Sequence, residues 1–173
     1  MIDMKKIILT IMVLVASIAA NAQKFALVDM EYILKNVPAY ERANEQLNQV
    51  SKKWENEVEV LLKEAGTLYK KYQSESVFLS DAQKTKAEEA IMAKEKEASE
   101  LKKKYFSSDG ELYKKRQSLL APIQDEIYNA VKDICDQKGY QLVLDRASGG
   151  SIIYASPKID ISEEVLTKLG YSY

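Results

Sequence analysis

The chain has 173 residues, of which 46% are apolar, and its 25 basic and 26 acidic residues give a net charge of −1. It contains no histidine and one cysteine, which excludes catalytic histidines, histidine metal ligands and an intramolecular disulfide. The near-neutral charge also argues against a general nucleic-acid binder, which would show a clear basic excess.

The first 22 residues have the order of a secretory signal peptide. Lys5 and Lys6 precede an apolar run over residues 7–19, and the small residues of Ala20-Asn21-Ala22 follow. The run is too short for a membrane span of about 20 residues, and no cysteine follows it to carry a lipid. We therefore predict export and cleavage after Ala22, which leaves 151 residues with a net charge of −2.

The next two elements are a short strand and a long helix. Residues 24–30 (KFALVDM) are apolar enough to predict a buried strand. From residue 40 onward, apolar residues recur at alternating steps of three and four with one extra step of four, which is typical of a coiled-coil seam. These seam residues are Tyr40, Ala43, Leu47, Val50, Trp54, Val58, Leu61, Ala65, Leu68 and Tyr72.

A second helix is predicted after the interruption at residues 73–80, with Ser80-Asp81 as its cap. Its apolar stripe comprises Ala87, Ile91, Ala98, Leu101, Tyr105, Leu112, Leu119, Ile123, Ile127, Val131 and Ile134, and is diluted by Lys94, Ser108 and Lys115. If residue i faces residue 157 − i, Trp54 meets Leu101 and Tyr105, which favours an antiparallel hairpin. We expect Pro122 to kink this helix and Gly139 to end it.

The C-terminal part predicts two strands, residues 140–145 and 151–155, and a short helix capped by Ser162 and ended by Gly170. The intervening glycine pair is a turn rather than a phosphate loop, because it lacks the Lys and Ser/Thr of a P-loop. Cys135 lies among apolar neighbours and is predicted to be a buried structural thiol.

The predicted fold class is mainly α with a small β body. A helical hairpin arm of residues 39–119, with its tip near 74–81, is carried by an α/β body of residues 23–38 and 120–173. The stripe residues Ile123, Ile127, Val131 and Ile134 extend past the first helix and are left without a partner in the hairpin. Because such a small sheet is marginal alone, we predict self-association through these four residues.

This layout resembles the OmpH-like branch of the Skp/OmpH family of periplasmic chaperones. The matching segments are KFALVDMEYIL, ELYKKRQSLLAPIQDEIYNAV and YQLVLDRASGGSIIYASPKIDISEEVLTKLGY, so the resemblance covers essentially the whole mature chain. It implies a periplasmic homotrimer that holds unfolded outer-membrane proteins and prevents their aggregation, without ATP, metal or other cofactor. The best-known member is strongly basic, whereas residues 51–120 here carry a net charge of only +2. Contact with lipopolysaccharide or a membrane surface therefore has no motif here to support it.

Apolar side chains outside the seam are the candidates for client contact. They are Leu62, Tyr69, Met92 and Phe106 along the arm and Val77, Phe78 and Leu79 at its tip, where packing within the tip is the alternative role. The aromatic seam residues Trp54, Tyr72 and Tyr105 are predicted to pack against the partner helix. The competing functional hypotheses are a coiled-coil adaptor that docks one folded partner, and an enzyme, for which the sequence offers no convergent pocket.

Overall fold

The computed structural model describes residues 24–149 and 152–171, so the predicted signal peptide lies outside the described residues. In chain order the elements are β1 (Lys24–Val28), α1 (Met30–Lys35), α2 (Pro38–Glu75), a 3₁₀ turn (Ser76–Phe78), α3 (Asp81–Phe106), α4 (Glu111–Lys138), β2 (Tyr140–Asp145), a second 3₁₀ turn (Pro157–Ile159) and α5 (Ser162–Lys168). No helix among the described residues is long and apolar enough to cross a membrane.

Helices α2 and α3 form the predicted antiparallel hairpin. Every residue of the predicted α2 seam is buried or half-buried, as expected for side chains that face a partner helix. Ser80 begins α3 with a capping box, in which its hydroxyl accepts from the Gln83 backbone N–H while the Gln83 side chain accepts from the Ser80 N–H. The predicted cap and hairpin are therefore confirmed.

The second helix is interrupted at a position that we did not predict. Instead of running on to residue 138, it breaks at residues 107–110, and α4 begins at Glu111. The sequence there is Ser-Ser-Asp-Gly, and a Cβ atom at Gly110 would lie 2.8 Å from the Tyr105 carbonyl oxygen. Only glycine fits this turn without a shift of the backbone. By contrast, α4 continues through Pro122 without interruption.

Within the described residues, the sheet has two strands rather than the predicted three. Strands β1 and β2 pair in parallel, with Phe25 opposite Leu142 and Leu27 opposite Leu144. The predicted third strand is wrong over its described part, because residues 152–156 have no regular structure and Ile153 and Tyr154 are exposed. A strand needs a neighbouring edge to pair with, and this segment finds none within the described chain.

Hydrogen bonds and ion pairs tie the strand ends to the C-terminal segment. Arg146 bridges the carboxylates of Asp29 (2.9 Å) and Asp160 (3.1 Å). The Ser162 hydroxyl donates to Asp160 and accepts from the Asp29 backbone N–H. The predicted cap role of Ser162 is wrong, because Ser162 is the first residue of α5 and Ile161 occupies the cap position. The predicted glycine stops of α4 and α5 are confirmed, with positive φ at Gly139 (73°) and Gly170 (87°).

The chain divides into two compact units. One consists of residues 24–33 together with the described residues from Asn129 onward, and the other is Leu34–Tyr128. The first unit contains the sheet and α5, whose Val165 and Leu166 are fully buried. The second unit contains the helical hairpin.

Candidate binding surface

The hairpin seam is held by an aromatic stack and by polar links between its helices. Trp54 of α2 and Tyr105 of α3 stack with ring centroids 4.6 Å apart, and the Tyr105 hydroxyl donates to Glu57 at 2.6 Å. Further along, Lys94 of α3 pairs with Glu64 of α2 at 2.9 Å. The predicted seam role of Trp54 is confirmed, and the observed pairs lie within a few residues of the predicted register.

The two sides of the hairpin differ in chemistry. Successive helical residues are rotated by about 100°, so Val60 and Leu62 lie on opposite sides of the seam residue Leu61. Leu62 lines a groove of about 300 Å³ with Val58, Lys102 and Phe106. Val60 lines a different and larger groove, of about 510 Å³, which contains Glu64, Leu68 and Lys94. We call the Leu62 side the apolar flank and the Val60 side the polar flank.

All four arm candidates lie on the apolar flank. Tyr69 follows Leu62 by seven residues, about two helical turns, and is therefore on the same side of α2. Met92 precedes Phe106 by fourteen residues, about four turns, and shares its side of α3. Leu62, Tyr69 and Met92 are exposed, and Phe106 is half-buried. The structure thus places together residues that the sequence identified only as lying outside the seam.

Two of the links between the helices lie on the polar flank. Glu57 and Glu64 are also seven residues apart, and Glu64 lines the same groove as Val60. Hydrogen bonding to the Glu57 carboxylate raises the pKa of Tyr105, and hydrogen bonds to Glu64 and then Glu97 raise the pKa of Lys94. Both donors therefore stay protonated at neutral pH, so these links persist there.

The tip separates its three apolar residues into two roles. Val77 is 84% exposed and Phe78 is 88% exposed in the 3₁₀ turn. Leu79 is half-buried and lines a small groove with Leu68, Tyr72 and Ala87. Of the two roles considered for this segment, Leu79 takes internal packing, whereas Val77 and Phe78 have apolar surface free for a partner.

The stripe proposed for self-association is covered within a single chain. Ile123, Ile127 and Ile134 expose 6%, 2% and 2% of their surface, and Val131 is half-buried. Within the first unit, Lys168 pairs with Asp133 and Lys138 with Glu164, which places α5 beside the last turns of α4. The expectation that this stripe needs a second chain to cover it is therefore wrong.

Exposed apolar surface lies instead on the sheet. Phe25, Leu142 and Leu144 are exposed, and the strand register places Phe25 beside Leu142. The sequence analysis predicted that the first strand is buried and made no statement about burial of the second, so it missed this patch. The pattern of apolar and polar residues along the strands does not reveal such a patch, because the exposed face of a two-stranded sheet can be as apolar as its buried face.

The single cysteine and the acidic side chains are the remaining candidates for chemistry. Desolvation raises the pKa of the Cys135 thiol, with a smaller contribution from Asp136, so little of the nucleophilic thiolate is present at neutral pH. Within residues 24–149 and 152–171, no group of three or more His, Cys, Asp and Glu side chains could hold a metal ion. The exposed apolar side chains are therefore the surface that a functional hypothesis has to explain.

The long antiparallel helical hairpin and the small parallel sheet place this chain in the class of mainly α-helical hairpin proteins. Comparison with known families identifies one that matches it. The chain belongs to the family described as outer membrane protein (OmpH-like), whose model matches residues 24–169.

Relatives and a solved structure agree with this assignment. The chaperone protein Skp of Yersinia enterocolitica is 28% identical over 158 residues, which cover 90% of this chain and 92% of that protein. The Skp chaperone of Photorhabdus luminescens is 26% identical and covers 87% of this chain and 88% of its own length. A crystal structure described as OmpH-like, from Caulobacter crescentus CB15, superposes with a TM-score of 0.68 at 12% identity over 87% of this chain and 86% of that one. At this sequence identity, the structural similarity supports the fold alone.

Proposed function

We propose that this chain is a periplasmic, ATP-independent chaperone that binds unfolded outer-membrane proteins and prevents their aggregation before membrane assembly. The observation that carries the proposal is the set of exposed apolar side chains along the hairpin and at its tip. Membership of the OmpH-like family and the similarity to two Skp chaperones give this surface its interpretation.

The physical basis is mass action. An unfolded outer-membrane protein alternates apolar and polar residues, and its unpaired strands aggregate readily. A protein that binds this form lowers the concentration available for association and releases it when a more stable destination competes. Such holding involves no chemical step and no cofactor.

The proposed assembly is a homotrimer. Association of chains is supported by the exposed apolar side chains of Phe25, Leu142 and Leu144 together with the exposed Ile153 and Tyr154, and the number of three copies is what the resemblance to the family implies. In the described part of the chain, β2 pairs only with β1, which leaves one edge of β2 without a strand. Unpaired strand edges and contiguous apolar surface are what associating chains cover.

The direct test is suppression of aggregation. A urea-denatured outer-membrane barrel protein is diluted into buffer with and without the mature chain, and light scattering is followed over time. Suppression at near-stoichiometric concentration without ATP is the expected result. A single stoichiometric folded partner in pull-downs, with no suppression of scattering, would instead establish the adaptor hypothesis.

Export is tested separately. The protein recovered from a periplasmic fraction should begin at Gln23, as measured by intact mass and N-terminal sequencing. A chain that retains Met1 in the cytoplasmic fraction would contradict the predicted cleavage after Ala22.

A further inference from the structure

The C-terminal segment of the chain covers one side of β1. We infer that residues 157–168, which we call the strap, are an autoinhibitory contact: they close the edge of β1 that faces away from β2, and so confine association between chains to the free edge of β2 and the exposed face of the sheet. The inference rests on the proposed assembly and adds to it a reason why association stops at a defined number of copies. All of the residues involved lie in the unit that contains the sheet.

Backbone hydrogen bonds occupy both sides of β1 at its C-terminal end. One side is paired with β2, and the backbone groups of alternate residues along a strand point to the other side. There the Leu27 C=O accepts from the Ile161 N–H at 2.9 Å. Two residues on, the Asp29 N–H donates to the Ser162 hydroxyl at 2.8 Å. Without the strap, these two backbone groups would form a free strand edge on which a strand of another chain can pair.

A closed ring of polar contacts fastens the strap at the point where both strands end. The Arg146 guanidinium, which follows β2, lies 2.9 Å from the Asp29 carboxylate and 3.1 Å from that of Asp160. Asp160 also accepts from the Ser162 hydroxyl at 2.6 Å. Since the same hydroxyl accepts from the Asp29 N–H, the contacts return to the residue at which they began. Removal of any one of these side chains should therefore loosen the strap next to the β1 edge.

The strap does not extend the sheet on its own outer side. Pro157 has no backbone N–H to donate. The Ile159 N–H donates to the Ser156 C=O at 3.1 Å. The Asp160 N–H donates to the Pro157 C=O at 3.2 Å. These donors are used within the 3₁₀ turn, so the strap ends the sheet at this edge.

The far end of the strap, α5, has fastenings of its own. Val165 and Leu166 are fully buried, and Lys168 pairs with Asp133 of α4 at 3.1 Å. None of these contacts involves β1. A substitution in the ring should therefore free the β1 edge while α5 stays packed in the unit.

The surface of the sheet explains why such a closure matters. Phe25 of β1 and Leu142 of β2 are paired in register and are 54% and 53% exposed, so a chain that pairs at an edge also covers apolar surface. If both edges were open, each added copy would present a free edge in turn. Contacts of this head-to-tail kind continue without an end unless the geometry closes them.

The test compares ring variants with a control variant in the full mature chain. Ser162→Ala removes the hydroxyl that links Asp29 and Asp160 and leaves the net charge unchanged, and Arg146→Ala removes the guanidinium. Lys168→Ala is the control, because it breaks an ion pair that does not involve β1. Size exclusion with light scattering measures the mass over a concentration series, at a temperature at which unfolding curves show the same folded fraction for every variant.

The parent should keep one mass across the series. Both ring variants should exceed that mass about twofold or more at the highest concentration and bind thioflavin T, because strands add at the opened edge. Lys168→Ala should match the parent.

Ring variants that keep the parent's mass, or fall below it, overturn the inference while the proposed assembly stands. Equal growth of Lys168→Ala overturns it as well, because a general loss of stability would then account for the larger species. A monomeric parent overturns the proposed assembly and the inference with it.

Discussion

The indole of Trp54 and the phenol of Tyr105 stack almost parallel, with an interplanar angle of 7°. The Tyr105 hydroxyl is simultaneously tied to Glu57 of the opposite helix. One residue of α3 therefore joins the hairpin through its ring face and through its polar end, and the stability of the hairpin should depend on this position.

Trp54→Ala should destabilise the hairpin and leave client binding per folded molecule nearly unchanged. Truncating a buried Trp costs about 3–5 kcal/mol, and half-burial here lowers the expected loss to about 2–3 kcal/mol. Urea unfolding followed by circular dichroism measures it. Trp54→Phe, which retains a ring for the stack, should lose less than half as much. Unchanged stability with abolished holding would contradict the seam role.

The two glycines of the hairpin unit, Gly66 within α2 and Gly110 in the break between α3 and α4, should respond in opposite directions to alanine. At Gly110 a Cβ atom meets backbone at 2.8 Å, whereas at Gly66 it meets nothing within 4 Å. Gly110→Ala should cost about 1–3 kcal/mol by overpacking, and Gly66→Ala, inside α2, should stabilise by about 0.5–1 kcal/mol. Thermal and urea unfolding compare the two. A neutral Gly110→Ala would mean that the break tolerates a shifted backbone.

Acid should weaken the strand unit through Asp29. The Tyr32 backbone N–H and the Arg146 guanidinium lower the pKa of Asp29, so its contribution to stability is complete above the pKa of the unfolded carboxyl, about 4. That contribution is lost as the pH falls through the lower folded pKa. Asp29→Asn should thus be destabilised at pH 7 and approach the parent near pH 2. Hydrogen exchange of the β1 and β2 amides is the readout.

Asp136 provides a control carboxylate for this acid test. Asp136 pairs with Lys132 on the exposed surface of α4, where such pairs contribute little. Asp136→Asn should leave strand exchange close to that of the parent at every pH. Equal effects of both variants would assign the acid response to general charge rather than to the Asp29 site.

The mature chain should form a homotrimer that depends on the exposed sheet face. Size exclusion with light scattering should report about three times the mature mass. Leu142→Asp should dissociate it, because a charge would enter the apolar contact, while Val60→Asp in the hairpin should leave the mass unchanged. A parent monomer at micromolar concentration would refute the assembly. Ile127→Asp, by contrast, should unfold the chain, because Ile127 is buried within it.

Holding should depend on apolar contact more than on charge. Val77→Ser/Phe78→Ser removes apolar surface at the tip and should weaken client binding roughly fivefold. Reversal of Lys102, Lys103 and Lys104 to Glu should have a smaller effect, and activity should persist as salt screens exposed charges. Client light scattering across a salt series measures both. Loss of holding at moderate salt would show that the lysine cluster does the binding.

The hairpin was predictable from the sequence because its signal is local. Steps of three and four from Tyr40 to Tyr72 fix which face of α2 is covered, and the capping sequence at Ser80 fixes where α3 begins. The break at residues 107–110 also has a local signal, the sequence Ser-Ser-Asp-Gly. We did not predict it, because the apolar stripe continues across these residues.

The strand unit was less predictable, because its pairing joins residues that are distant in the sequence. Residues 152–155 have the composition of a strand, yet strand formation depends on an available edge. The position of α5 beside the last turns of α4 likewise depends on ion pairs between separate elements, Lys168 with Asp133 and Lys138 with Glu164. The apolar flank needed both helices, since Leu62 and Phe106 are distant in sequence and share a groove only in the folded hairpin.

The parallel pairing of β1 with β2 has a consequence for the order of folding. Phe25 pairs with Leu142, so β1 is synthesised early and has no partner until nearly the whole chain has been made. The hairpin unit, Leu34–Tyr128, is complete in sequence before β2 exists and is built from contacts that close much shorter loops. Folding should therefore begin in the helices, and the sheet should form only when the C-terminal residues arrive. A nascent or truncated chain that ends before Tyr140 would thus have a folded hairpin while β1 still lacks its strand partner.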